Sequence, residues 1–86
     1  MKIKLVQTCS ACPEQYDAFL GDELVGYLRL RFGNFTVQCP DVGGTLVYSR
    51  SIGDNGWDGA FFDELEQYKE LRKAKKSIKK WIRKHR

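Results

Sequence analysis

Histidine is nearly missing from this chain: the single residue, His85, stands next to last. Its scarcity removes the commonest general base and metal ligand from any interior site. No apolar run approaches the ~20 residues of a membrane helix. The opening MKIKLVQT has no apolar stretch like that of a signal peptide. With no transmembrane segment and no leader, the expected location is the cytoplasm, or the host cytoplasm if the gene is a phage's. A glycine-rich phosphate loop, a nucleophile elbow and a paired Ser/His arrangement are all absent. The expectation is therefore a protein that is not an enzyme. Cysteines number three, an odd set that fits a reducing compartment better than a disulfide scaffold.

What is present suits one small folded domain. The 86 residues are 42% hydrophobic, 13% aromatic and 30% charged, enough apolar material for one core and too little for two. The net charge of +4 conceals a division. Residues 1–68 hold five Lys and Arg against ten Asp and Glu, a net of −5, whereas residues 69–86 hold ten against one, a net of +9. An acidic body carries a basic end.

Along the body, KIKLVQT alternates Ile3, Leu5 and Gln7 against Lys2, Lys4 and Val6, as a half-buried strand does. QYDAFL and ELVGYLRLRF flank a Gly21-Asp22 turn, and Gly33-Asn34 separates the second of these from FTVQC. Centring the second hairpin on Gly33-Asn34 sets Phe32 opposite Phe35, Leu30 opposite Val37 and Leu28 opposite Cys39. Arg29 and Arg31 then lie on the other face, with Tyr27 and Tyr16 beside them. TLVYSRSI supplies a last strand, and GDNGWDG reads as a loop. From about Ala60 the period becomes 3.6, with Phe61, Leu65, Tyr68, Leu71, Ile78 and Ile82 on one side. Asp58 serves as N-cap, and Asp63 and Glu64 face the positive dipole end. The fold class expected is α+β: a four- or five-stranded antiparallel meander over residues 1–59, and one long helix over residues 60–86 packed on one sheet face.

The helix carries the main functional signal. Ala74, Ile78, Trp81 and Ile82 drift about a quarter-turn from the earlier apolar stripe. Lys69, Arg72, Lys73, Lys76, Lys79, Lys80, Arg83 and Lys84 occupy the opposite arc. Two or three such cations would balance the helix dipole, and Glu66 and Glu70 can pair with Lys69 and Lys73 on a solvated face. The remainder repel one another, so their clustering points to a negative partner. Over the roughly 27 Å that 18 helical residues span, the row matches the scale of a phosphodiester backbone. Nucleic acid, or a ribonucleoprotein or nuclease complex, is the leading partner, with Arg29 and Arg31 supporting from the sheet. A rival reading makes Ile78, Trp81 and Ile82 a hydrophobic contact for a protein partner or a homodimer, with the lysines around it. A third lays Leu71, Ile78, Trp81 and Ile82 on an anionic membrane surface.

Two local patterns fall short of known sites. CSAC at 9–12 followed by CPDVG at 39–43 resembles a degenerate zinc ribbon, which implies Cys9, Cys12 and Cys39 as metal candidates and zinc as cofactor of a stabilised mini-domain. Val42 stands where the fourth cysteine belongs, and Pro13 follows Cys12 in place of glycine, so no cofactor is the simpler expectation. GDNGWDGAFFDE resembles a calcium loop, yet Gly56 and Leu65 replace needed ligands.

Taken whole, a −5 body joined to KELRKAKKSIKKWIRKHR, with no catalytic set, resembles the small proteins of phages and mobile elements, anti-CRISPR inhibitors among them. The resemblance implies a stoichiometric inhibitor of a guide-RNA–nuclease complex acting by charge complementarity. Many such inhibitors are acidic DNA mimics. A basic one would engage bound RNA, bound DNA or an acidic protein surface.

Overall fold

The computed structural model describes residues 1–9, 14–51 and 64–85. Five strands, β1 (Lys4–Cys9), β2 (Glu14–Leu20), β3 (Glu23–Arg31), β4 (Asn34–Cys39) and β5 (Thr45–Ser51), pair antiparallel in chain order. One helix, α1 (Glu64–His85), follows them. The meander and helix expected from the sequence are both present. Asp58, Phe61 and Asp63, together with the start of the predicted helix and the GDNGWDG loop, lie outside the described residues.

Period-two alternation sorts the sheet into two faces. Tyr16, Ala18, Leu28, Leu30, Phe35 and Val37 are buried on one, while Gln15, Asp17, Tyr27, Arg29, Thr36 and Gln38 are half-buried on the other. The helix crosses the first face over β3, β4 and β5. It buries Ala74, Ile78 and Ile82, four residues apart and so on one side of the helix. Each fully buried Ile contributes about 1.5–3 kcal/mol relative to exposure. Close approach of the helix depends on Gly26, where a Cβ would stand 2.9 Å from Ile78 Cδ1 and 3.3 Å from Ala18 Cβ.

Three expectations are corrected. The β3–β4 hairpin pairs Leu30 with Phe35, Leu28 with Val37 and Arg31 with Asn34, so its two-residue turn is Phe32-Gly33. Both turn residues have positive φ, 51° and 76°, with glycine in the second position as in an Asn-Gly turn. Partners move by two residues, which preserves the faces but puts Phe32 at the tip, 62% exposed. Tyr16 belongs to the core face rather than the open one. The helix stripe also differs: Leu65 and Tyr68 are 62% and 59% exposed, and the position that heads the buried row is Glu70, with no accessible surface.

Candidate functional site

With Glu70, Ala74, Ile78 and Ile82 turned to the sheet, 100° per residue sends the basic positions outward. Lys69, Arg72, Lys73, Lys76, Lys80, Arg83 and Lys84 are exposed, and Lys79 is half-buried. From Lys69 to Lys84 the row is about 22 Å long at ~1.5 Å per residue. No acid occurs in the chain after Glu70. Among the described residues, the ion pairs made by helix cations reduce to Lys73 with Glu70. Arg72, Lys76, Lys79, Lys80, Arg83 and Lys84 form none. Lys69, Arg72, Lys73 and Lys76 border a depression of about 200 Å³ on the helix surface. At the far end His85 stacks on Trp81 with centroids 4.7 Å apart.

Two polar clusters fix how the helix lies. Glu70 is buried with its carboxylate satisfied: Tyr48 donates to Oε1 at 2.7 Å, Arg50 donates to Oε2, and Lys73 approaches Oε2 at 3.4 Å. Burial alone would raise the Glu70 pKa, but the hydrogen bonds from Tyr48 and Arg50 and the charges of Arg50 and Lys73 outweigh it and hold the carboxyl below its ordinary value. Tyr48 is pushed up to about 12 by burial and by its bond to Glu70. In the second cluster, Gln67 Nε2 donates to Glu14 Oε2 and to the Tyr16 hydroxyl, each at 2.8 Å, and Tyr16 donates to Glu14. Burial first, then that hydrogen bond to Glu14, raises the Tyr16 pKa well above the ordinary phenol value. One cluster ties the helix to β5 and the other to β2, so the cationic arc has a fixed direction.

Because the helix lies over β3 to β5, it leaves the β1 side of the core face partly open. A groove of about 850 Å³ runs there, with Ile3, Leu5, Tyr16 and Leu71 among its apolar lining. Lys2 and Lys4 border it from the strand side, and Arg72 and Lys75 from the helix. Tyr68 also lines it, with the Arg72 guanidinium 5.6 Å from its ring centroid. A smaller groove of about 320 Å³ lies between β5 and the last turns of the helix, lined by Val47, Ser77, Lys80, Trp81 and Lys84 among others.

Other sequence candidates are not gathered into this surface. Arg29 and Arg31 project from the face of the sheet opposite the helix, and Arg31 lies 4.8 Å from the Phe32 ring centroid. Ile78 and Ile82 are buried against the sheet, which leaves Trp81 as the half-exposed member of the predicted hydrophobic contact. Glu70, read from the sequence as solvated, is interior. Cys9 ends β1 beside Gln15 and Cys39 ends β4 beside Thr45. Three strand spacings, about 14 Å, separate their strands, too far for one tetrahedral ion or one disulfide to take both. Cys39 is a core residue whose thiol burial pushes up to about 11. Cys12 lies outside the described residues.

Sequence reading missed Lys2, Lys4, Tyr68 and Lys75, because a groove between two elements distant in the chain has no local signature. The exposure of Tyr68 was legible in one respect: it lies off the helical side set by Ala74, Ile78 and Ile82. No protein-family model, curated protein or solved structure matches the chain.

Proposed function

We propose that this is a non-enzymatic binding protein whose helix holds the phosphates of nucleic acid, free or within a nucleoprotein complex such as a guide-RNA–nuclease. The observation that carries the reading is the exposed helical arc with no acid after Glu70 and no ion pair at six of its cations among the described residues. Cations held apart without counter-charges raise the electrostatic potential along the row, and a polyanion releases its condensed counterions when it displaces them. Contacts of this type position a backbone without reading bases, so binding is expected to be indifferent to sequence. The alternative protein-contact face is weakened because the sheet already covers Ile78 and Ile82.

The test uses fluorescence anisotropy with labelled RNA and DNA. Replacing Lys76, Lys79, Lys80 and Arg83 together by glutamine lowers affinity by at least about tenfold at moderate salt, and makes the negative slope of log affinity against log salt shallower by about 3. The variant keeps its circular dichroism spectrum. Unchanged affinity in a folded variant contradicts the assignment.

A further inference from the structure

The groove between β1 and the helix combines features that the helical row lacks. Its interior is apolar, from Leu5 and Leu71 above the buried Ile3 and Tyr16. Lys2, Lys4, Arg72 and Lys75 stand around it, and no carboxylate is found among its described lining residues. An apolar trough edged by four cations complements an occupant that alternates flat apolar groups with negative charge. Bases joined by phosphates have that alternation, and an exposed tyrosine held by an arginine adds a stacking surface at the same place.

We propose that this groove receives the unstacked bases of a single strand, which makes the protein selective for single-stranded over duplex nucleic acid. The inference rests on the phosphate-binding reading of the helix. Arg72 belongs both to the groove and to the depression formed with Lys69, Lys73 and Lys76. A strand can therefore leave the groove and continue along the helix without losing cationic contact. In a duplex the flat faces of the bases are stacked on one another and only their edges are open in the grooves, so a duplex reaches the helical row with its phosphates and leaves the apolar trough empty. The volume of about 850 Å³ suits a few bases rather than one small ion. An acidic peptide carrying aromatic side chains meets part of the same chemistry. It lacks the regular charge repeat that would follow the row from Arg72 onward, so the single strand is favoured.

The experiment compares a mixed-sequence duplex of about 12 base pairs with each of its separated strands at one salt concentration, for the native chain, Tyr68→Ala and the pair Lys4→Gln with Lys75→Gln. All three positions are exposed or half-buried, and circular dichroism checks that each variant is folded. The native protein is expected to bind the single strands about tenfold more tightly than the duplex. Both variants should bring that preference close to unity while duplex affinity stays within about twofold. Equal or tighter binding of the duplex by the native chain overturns the groove proposal and leaves the helical reading standing. A preference retained in both variants overturns it likewise, as does displacement of the single strand from the native chain but not from Tyr68→Ala by a random Glu-Tyr copolymer that binds more tightly. Absence of any nucleic-acid binding overturns both proposals together.

Discussion

Glu70 is the residue on which the placement of the helix depends most visibly. Its carboxylate has no accessible surface, and it takes hydrogen bonds from Tyr48 and Arg50 while Lys73 closes the cluster. Glu70→Gln keeps the size but loses the charge, and is expected to cost about 2 kcal/mol, less than for a fully enclosed pair because Arg50 and Lys73 are about half exposed. The sign with pH follows from the direction of the shift. A carboxyl held below its unfolded value of ~4.3 contributes stability above that value and loses it as pH falls through the folded one. Chemical denaturation at several pH values below ~5 should show a smaller acid loss in Glu70→Gln than in the native chain. An equal loss in both would remove Glu70 as its source. Gly26 acts through shape instead. Gly26→Ala brings a Cβ against Ile78 Cδ1 and is expected to destabilise by about 1–3 kcal/mol. Adding Ile78→Val, which removes that methyl, should recover part of the loss in a double-mutant cycle. Simple additivity would mean that the contact is not the cause.

At the scale of elements, the sheet order and the helix were legible because strand and helix periods differ so plainly here. The details that escaped had physical reasons. Counting the β3–β4 turn from Gly33-Asn34 satisfied the glycine preference, but the fold places Gly33 second in the turn and accepts positive φ at Phe32 in order to pair Leu30 with Phe35. A bulky residue in that region is strained. Phe32→Asn should therefore raise stability by about 0.5–1 kcal/mol, or a few degrees in Tm, which thermal unfolding measures directly. A fall in Tm would show that the ring's packing at the tip outweighs the backbone cost. In the helix, apolar residues alone misplaced the buried side: Leu65 and Tyr68 suggested one stripe, and the partners that make Glu70 the head of the true one lie on β5, outside any local window. The cationic arc itself was legible, since its extent follows from the spacing of Ala74, Ile78 and Ile82 alone.

For the whole molecule, the segregation of charge has a structural counterpart. The acidic body supplies Glu14 to one of the two clusters that orient the helix, and Glu70, the one acid of the basic end, centres the other. Together they leave Lys69, Lys73, Lys76 and Arg83 exposed on the outer side of the helix, while Arg72 and Lys75 border the groove beside β1 and Lys80 and Lys84 the groove beside β5. Among the described residues, no helix is long and apolar enough to cross a membrane. The groove beside β1 joins Lys2 and Lys4 to Arg72 and Lys75 across some 70 residues of sequence, so only the fold reveals it. Arg29 and Arg31, plausible partners of the helix in a linear reading, sit behind the sheet from it, because alternation along β3 sends them to the face opposite Leu28 and Leu30. Whether the arc holds phosphates, as we propose, is read from the affinity of the native protein for single-stranded RNA, single-stranded DNA and duplex DNA across a salt series. A phosphate-binding arc predicts binding near physiological salt with log affinity falling linearly against log salt, at a slope of about −4 or steeper. An absence of binding, or an affinity that salt does not change, would contradict it.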